Sequence, residues 1–337
     1  VANVTVVDPS DYSTTTNPLS VNCRLVPFNI VLLDKRPSPS VLKDAKITIT
    51  WPNLITYDTT SDDDGVVNLP PTSIAGGYLP FGDTVIDVYW TITKDDPASW
   101  VLVRSATFTV EGDTVGSITV SVDDVEVSDA DESTANVFDY NLICEVYDAY
   151  LALVDLNGNP LVNPTVILEH PSGAISIVPA NVNGTLALIQ VPGGDWHISA
   201  VYKNLHVKPY GMSDILSVND NILDAVEFTF AFVDAKLQMV KWGTEDYGIT
   251  GLNVSISWEG NATITGDTGT WTEDWVTTDG NGWANFTQIP AGIAILIDAY
   301  THSGAHFAGK TNVDVGPYED VITLAPENYV GAHHMYI

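Results

Sequence analysis

Residues 183–194 read NGTLALIQVPGG, and residues 281–292 read NGWANFTQIPAG; the two align without a gap. Each part of this stretch has a mechanical role. Asn-Gly supplies the positive φ of a tight turn. The alternating residues that follow send one face of a strand into a core. Pro-Gly-Gly or Pro-Ala-Gly then stops that strand and reverses the chain. A shorter counterpart, DDGVVNL, occupies residues 63–69 and is followed by a Pro- and Gly-rich insertion before Asp83. After each copy comes another alternating segment ending in tyrosine, at Tyr89, Tyr202 and Tyr300. A β-structured unit is therefore written three times.

The first halves of the copies agree. Residues 23–34 (CRLVPFNIVLLD) and 144–155 (CEVYDAYLALVD) have the same Cys-to-Asp spacing, and 233–240 (VDAKLQMV) echoes 147–154 (YDAYLALV). Period-two patterns at 46–51, 106–110, 117–122, 165–168, 252–258 and 295–300 read as strands with one apolar face. The one helix-like stretch, 212–216, is too short to matter. The expected fold is all-β, with three tandem Greek-key sandwiches. The expected boundaries are an N-terminal arm at 1–22, sandwiches at 23–122, 140–230 and 231–337, and a linker at 123–139 rich in Asp and Glu. The last sandwich includes a tail at 328–337.

The order D-x-N-G-N-P-L, then T-V-x-L, then N-G with Q-V-P-G-G-x-W-x-I-x-A-x-Y, resembles the carboxypeptidase-regulatory-like, or prealbumin-like, Ig-like sandwich domain. Residues 155–202 carry it most fully and 248–300 carry its second half; the first copy diverges. The resemblance implies a seven-stranded Greek-key sandwich. Similar tandem modules occur in archaeal and bacterial surface proteins, including surface-layer and extracellular filament subunits. The shared motifs are turn chemistry, so they speak for fold more than for function.

The 337 residues include 43 Asp and Glu against 12 Lys and Arg, a net charge of −31, yet only 16% are charged and 45% are hydrophobic. Intrinsic disorder needs high charge together with low hydrophobicity and does not fit. Nucleic acid and anionic membranes call for a basic patch, so neither is an expected partner. No apolar run approaches the roughly 18–20 residues of a membrane helix. The first residue is Val1, which reads as the product of signal-peptide removal and so as an exported chain. Sequons at Asn3, Asn183, Asn253, Asn261 and Asn285 fit glycan attachment. The two cysteines, Cys23 and Cys144, form either one disulfide, which export permits, or two buried thiols.

No G-x-S-x-G, H-E-x-x-H or phosphate-loop pattern occurs, and the histidines are scattered, so an enzyme is not expected and no cofactor is required. Ca²⁺ is the better-motivated ligand, since hard cations take carboxylate oxygens. Its candidates are Asp62, Asp63 and Asp64, with Asp123, Asp124, Asp129 and Asp131 in the acidic linker. Residues 155–159 (DLNGN) resemble half of a calcium loop but lack its downstream Glu, and read better as a hairpin turn. Trp271 and Trp275 are the best candidates for a surface sugar platform. The arm VANVTVV at 1–7, with Val1, Val4 and Val6, has strand composition and no partner within its own repeat. It could complete an open sheet in a neighbouring subunit; residues 321–337 could serve instead. These features point to an extracellular structural subunit that joins identical copies head to tail as a filament or surface layer. The alternative is a secreted adhesion or carbohydrate-binding module using exposed Trp and Tyr.

Overall fold

A computed structural model describes residues 25–69, 77–94, 96–112, 118–123, 127–129, 138–241, 248–261, 268–272, 275–313 and 318–326. Every regular element among them is a β-strand. The 212–216 stretch is not helical: bends at 210–212 lead into a strand that begins at Ile215.

The first stretch holds β1 (Leu25–Leu33), β2 (Lys46–Thr50), β3 (Thr56–Thr60), β4 (Tyr78–Pro80), β5 (Gly82–Trp90), β6 (Val101–Glu111), β7 (Thr119–Val122), β8 (Val127–Asp129) and β9 (Phe138–Ile143). One sheet runs β4-β1-β9-β8 and the other β3-β2-β5-β6-β7. The pattern explains the layering. Val26, Phe28, Ile30 and Leu32 alternate along β1, and all are buried with Ile47 and Ile49 of β2 and Ile86 and Val88 of β5. Phe28 packs edge-on to Phe108 (centroids 5.9 Å) and stacks on Tyr140 (5.5 Å), contacts worth about 0.5–1.5 kcal/mol each beyond area burial.

Here the chain departs from the expected boundaries. The 123–139 segment contains β8, and β9 pairs in parallel with β1 from Phe28↔Phe138 to Leu33↔Ile143. The first sandwich therefore extends to Cys144 instead of ending at 122. An acid-rich composition reads locally as a linker, but the partner of β9 lies more than a hundred residues upstream.

The second stretch holds β10 (Val146–Val154), β11 (Thr165–Glu169), β12 (Ile175–Pro179), β13 (Thr185–Pro192), β14 (Gly194–Tyr202), β15 (Leu205–Val207), β16 (Ile215–Val218) and β17 (Ile222–Thr229). Its sheets are β13-β10-β17 and β12-β11-β14-β15, with β16 also on β14. The third holds β18 (Phe232–Lys241), β19 (Asn253–Asn261), β20 (Thr268–Thr272), β21 (Val276–Thr277), β22 (Trp283–Pro290), β23 (Ile293–Tyr300), β24 (His306–Val313) and β25 (Tyr318–Pro326). Here β22-β18-β25 and β20-β19-β23-β24 merge into one sheet, because β24 meets β25 at Phe307↔Pro326.

One arrangement thus recurs: β4-β1-β9, β13-β10-β17 and β22-β18-β25. In each, the first strand of the stretch lies between the strand after the Gly turn and the last strand, and the first and last strands are parallel. Two compact units result. One comprises Val1–Asp148, Gln190–Gly193 and Asn219–Asn221; the other comprises Ala149–Ile189, Gly194–Val218 and Ile222–Ile337.

Candidate functional site

The turns that decide the fold share one hydrogen-bond plan. Asp62 Oδ1 accepts from the backbone N–H of Asp64 (3.0 Å) and Val66 (2.9 Å). Asp155 Oδ1 does the same for Asn157 and Asn159 (2.8 and 2.9 Å), Asn181 Oδ1 for Asn183 and Thr185 (2.8 and 3.0 Å), and Asp279 Oδ1 for Asn281 and Trp283 (2.8 and 2.9 Å). One side-chain oxygen closes two amides, which is why Asp or Asn begins every such turn. The two N–H donors hold the Asp279 carboxyl below its ordinary range.

Two larger polar clusters repeat at the strand ends. In the first unit, the fully buried Asp34 accepts at Oδ2 from Arg36 Nε (2.7 Å) and Gln190 Nε2 (2.9 Å), and at Oδ1 from the Ser40 N–H (2.9 Å). Arg36 also reaches Asp148 (3.4 Å), whose Oδ1 accepts the Gln190 N–H (3.0 Å), while Trp90 Nε1 donates to the Gln190 carbonyl (2.7 Å). Hydrogen bonding to Asp34, helped by Asp148, raises the pKa of Arg36 above its ordinary value.

In the second unit, Gln288 Nε2 donates to the Pro160 carbonyl (2.7 Å) and lies 3.5 Å from Oδ2 of the fully buried Asp155. The Gln288 N–H bonds Asp234 Oδ1 (3.0 Å), and Tyr202 donates its hydroxyl hydrogen to Gln288 Oε1. Gln190 and Gln288 both adopt the left-handed backbone, with φ of 57° and 51°. The pairs Asp34 and Asp155, Asp148 and Asp234, and Gln190 and Gln288 occupy equivalent places in the repeat. These joints are the most developed polar sites among the described residues. Sequence alignment shows the glutamines but not their role, since their partners lie 42–156 residues away. In the third copy Lys241 replaces the Asp, and Tyr300 instead stacks on His306 (4.3 Å, 3°) beside Trp275 (5.3 Å). His306 Nε2 lies 2.9 Å from Asp298 Oδ1.

Among the described residues, the candidate calcium acids are not drawn together. Asp62 is engaged in its own turn, Asp63 pairs with Lys43, and Asp64 points to solvent. Asp123 is exposed and Asp129 ends β8, while Asp124 and Asp131 lie outside the described residues. No group of three metal-ligating side chains occurs among the described residues. Asn183, Asn253 and Asn285 are exposed; Asn261 ends β19, and Asn3 lies outside the described residues, as do Val1, Val4 and Val6. Trp271 sits on β20, and Trp275 is 55% exposed.

Cys144 is a free thiol, fully buried, and its burial raises its pKa. Cys23 lies outside the described residues. The Cys144 N–H bonds the Leu33 carbonyl at one end of β1. The expected Cys23–Cys144 bridge involves a residue outside the described ones.

No family model and no curated protein matches the chain. Among solved structures, the chain is similar to the Bacillus anthracis TIE protein, with 14% identity over 89% of this chain and 51% of that one, and a TM-score of 0.24. It thus spans about half of that protein's length. It is also similar to a streptococcal ancillary pilin, with 10% identity over 89% of this chain and 99% of that one (TM-score 0.26). A third similar structure is the minor pilin of Streptococcus agalactiae, with 11% identity over 53% and 97% (TM-score 0.27).

Proposed function

We propose that the chain is a non-enzymatic structural subunit of an extracellular filament or surface layer, in which identical copies join head to tail through the arm at 1–22. The observation that carries this reading is the joint in the second unit. Only Phe230 and Ala231 separate β17 from β18, and Gln288, Asp155, Asp234 and Tyr202 lock the connection with hydrogen bonds. A tether between independent binding modules needs neither a two-residue connection nor a buried polar lock; a subunit that must keep consecutive sandwiches in fixed order benefits from both. The arm's first seven residues, all with uncharged side chains, suit addition to an open sheet edge. Contacts of this heterologous kind propagate when they do not close. Negative-stain imaging of the full chain should show polymers, and deletion of residues 1–12 should abolish them while leaving a folded chain no larger than a dimer. Polymers formed by the truncated chain would rule out donation by the arm.

A second reading, adhesion through a sugar platform, draws on exposed Trp275 beside Tyr300. It predicts glycan-array binding that Trp275→Ala abolishes while polymerisation is unaffected.

A further inference from the structure

We propose that β12 is a self-association edge, where a second copy of this chain pairs antiparallel, β12 against β12. The proposal does not depend on the arm. Among the described residues β12 pairs with β11 alone, in an unbroken register from Thr165↔Pro179 to Glu169↔Ile175. The bonds that flank the ladder fix which groups face outward. His170 N–H bonds the Ala174 carbonyl (2.8 Å) and Ala180 N–H bonds the Pro164 carbonyl (2.8 Å). In an antiparallel pair, bonded and non-bonded positions alternate. Positions 174, 176, 178 and 180 are thus spent on β11. Ile175 and Ile177 turn both N–H and C=O toward the open edge, and Pro179 turns only a carbonyl.

The same two isoleucines are 39% and 57% exposed, on the face opposite the buried Ser176. Two other edges, β3 and β17, carry the usual protections. β3 has Asp58 in its middle, and β17 breaks register between Ala149 and Leu151 of its partner, where Asp224 lies in the extra residues. β12 has neither a charge nor a bulge. It lies within residues 171–194, a run with no Asp, Glu, Lys or Arg in a chain of net charge −31.

Charge decides the occupant. A cationic partner would be drawn to the acidic surface, not to this neutral strand. Two copies of a strongly acidic chain repel everywhere else and can approach only where charge is absent. The strand is also self-complementary. Pairing centred on Ser176 sets Ile175 opposite Ile177 of the second copy twice, closes four N–H···O=C bonds and lines up four isoleucines on one face.

The test is sedimentation equilibrium of the full chain up to its solubility limit, in low salt and in about 1 M salt, where the Debye length falls to about 3 Å. Expected is a two-copy association step, beside any polymerisation through the arm, that strengthens with salt and weakens at least tenfold in Ile177→Lys. Ile177→Pro, which removes an edge-facing donor that the native ladder does not use, should weaken them similarly with little change in Tm. A chain monomeric at every concentration and both salts overturns the proposal, as does association unaltered in both variants. Association lost on deletion of residues 1–12 assigns the edge to the arm instead and overturns it equally.

Discussion

Gln288 holds a left-handed backbone, fills a nearly buried place, and bonds two carboxylates, a carbonyl and a phenol through three different groups. Replacing it with Ala removes an acceptor of the Tyr202 hydroxyl and a donor near buried Asp155. Urea unfolding should show a loss of about 1–3 kcal/mol. Gln288→Glu should cost more at neutral pH, because it sets a second carboxylate against Asp155, and should recover part of the loss as pH falls and one of the two is protonated. Asp279 behaves in the opposite sense. Its carboxyl is held below the ordinary 3.8 by the Trp283 and Asn281 amides. Its contribution is therefore present above the unfolded pKa and is lost as pH falls through the lower folded value. An NMR titration should place its midpoint below 3.8, and Asp279→Asn should remove that feature. Cys144 is buried with a raised pKa, so alkylation of its thiol should follow global unfolding and not precede it.

At the level of elements, the turns before β13 and β22 carry the strictest demands. A Cβ on Gly184 would come within 2.5 Å of the Leu153 carbonyl oxygen, and one on Gly282 within 2.6 Å of Gly248 Cα, while φ is 66° and 81°. Gly184→Ala and Gly282→Ala should each destabilise by more than the roughly 1 kcal/mol of a backbone-only penalty. Gly158→Ala has a similar φ of 80° but open space around it, so it should cost only the strain; thermal melts of the three compare clash with conformation. These turns were legible in the sequence because each is closed by residues within four positions, and the strands at 46–51, 165–168 and 295–300 followed from alternation. The place of β9 was not, because parallel pairing with β1 depends on a distant partner that no local pattern names. The joints were half legible: alignment set Gln190 over Gln288, but only the folded chain brings Asp34 and Asp155 to them.

For the whole molecule, 43 acids against 12 bases make self-repulsion a general term. Moderate salt should raise Tm by screening it, most steeply between low and physiological ionic strength. The parallel pairing of first and last strands adds a mechanical consequence. Because β10 and β17 run in the same direction side by side, the chain enters that sandwich at one end and leaves at the other. A force applied to the two ends of the segment slides these strands lengthwise against each other. It does not peel them apart one bond at a time. The bonds of the ladder then resist together, and β18 with β25 meets the same load over seven register positions. Single-molecule stretching should therefore show abrupt ruptures at high force, with no gradual extension preceding them.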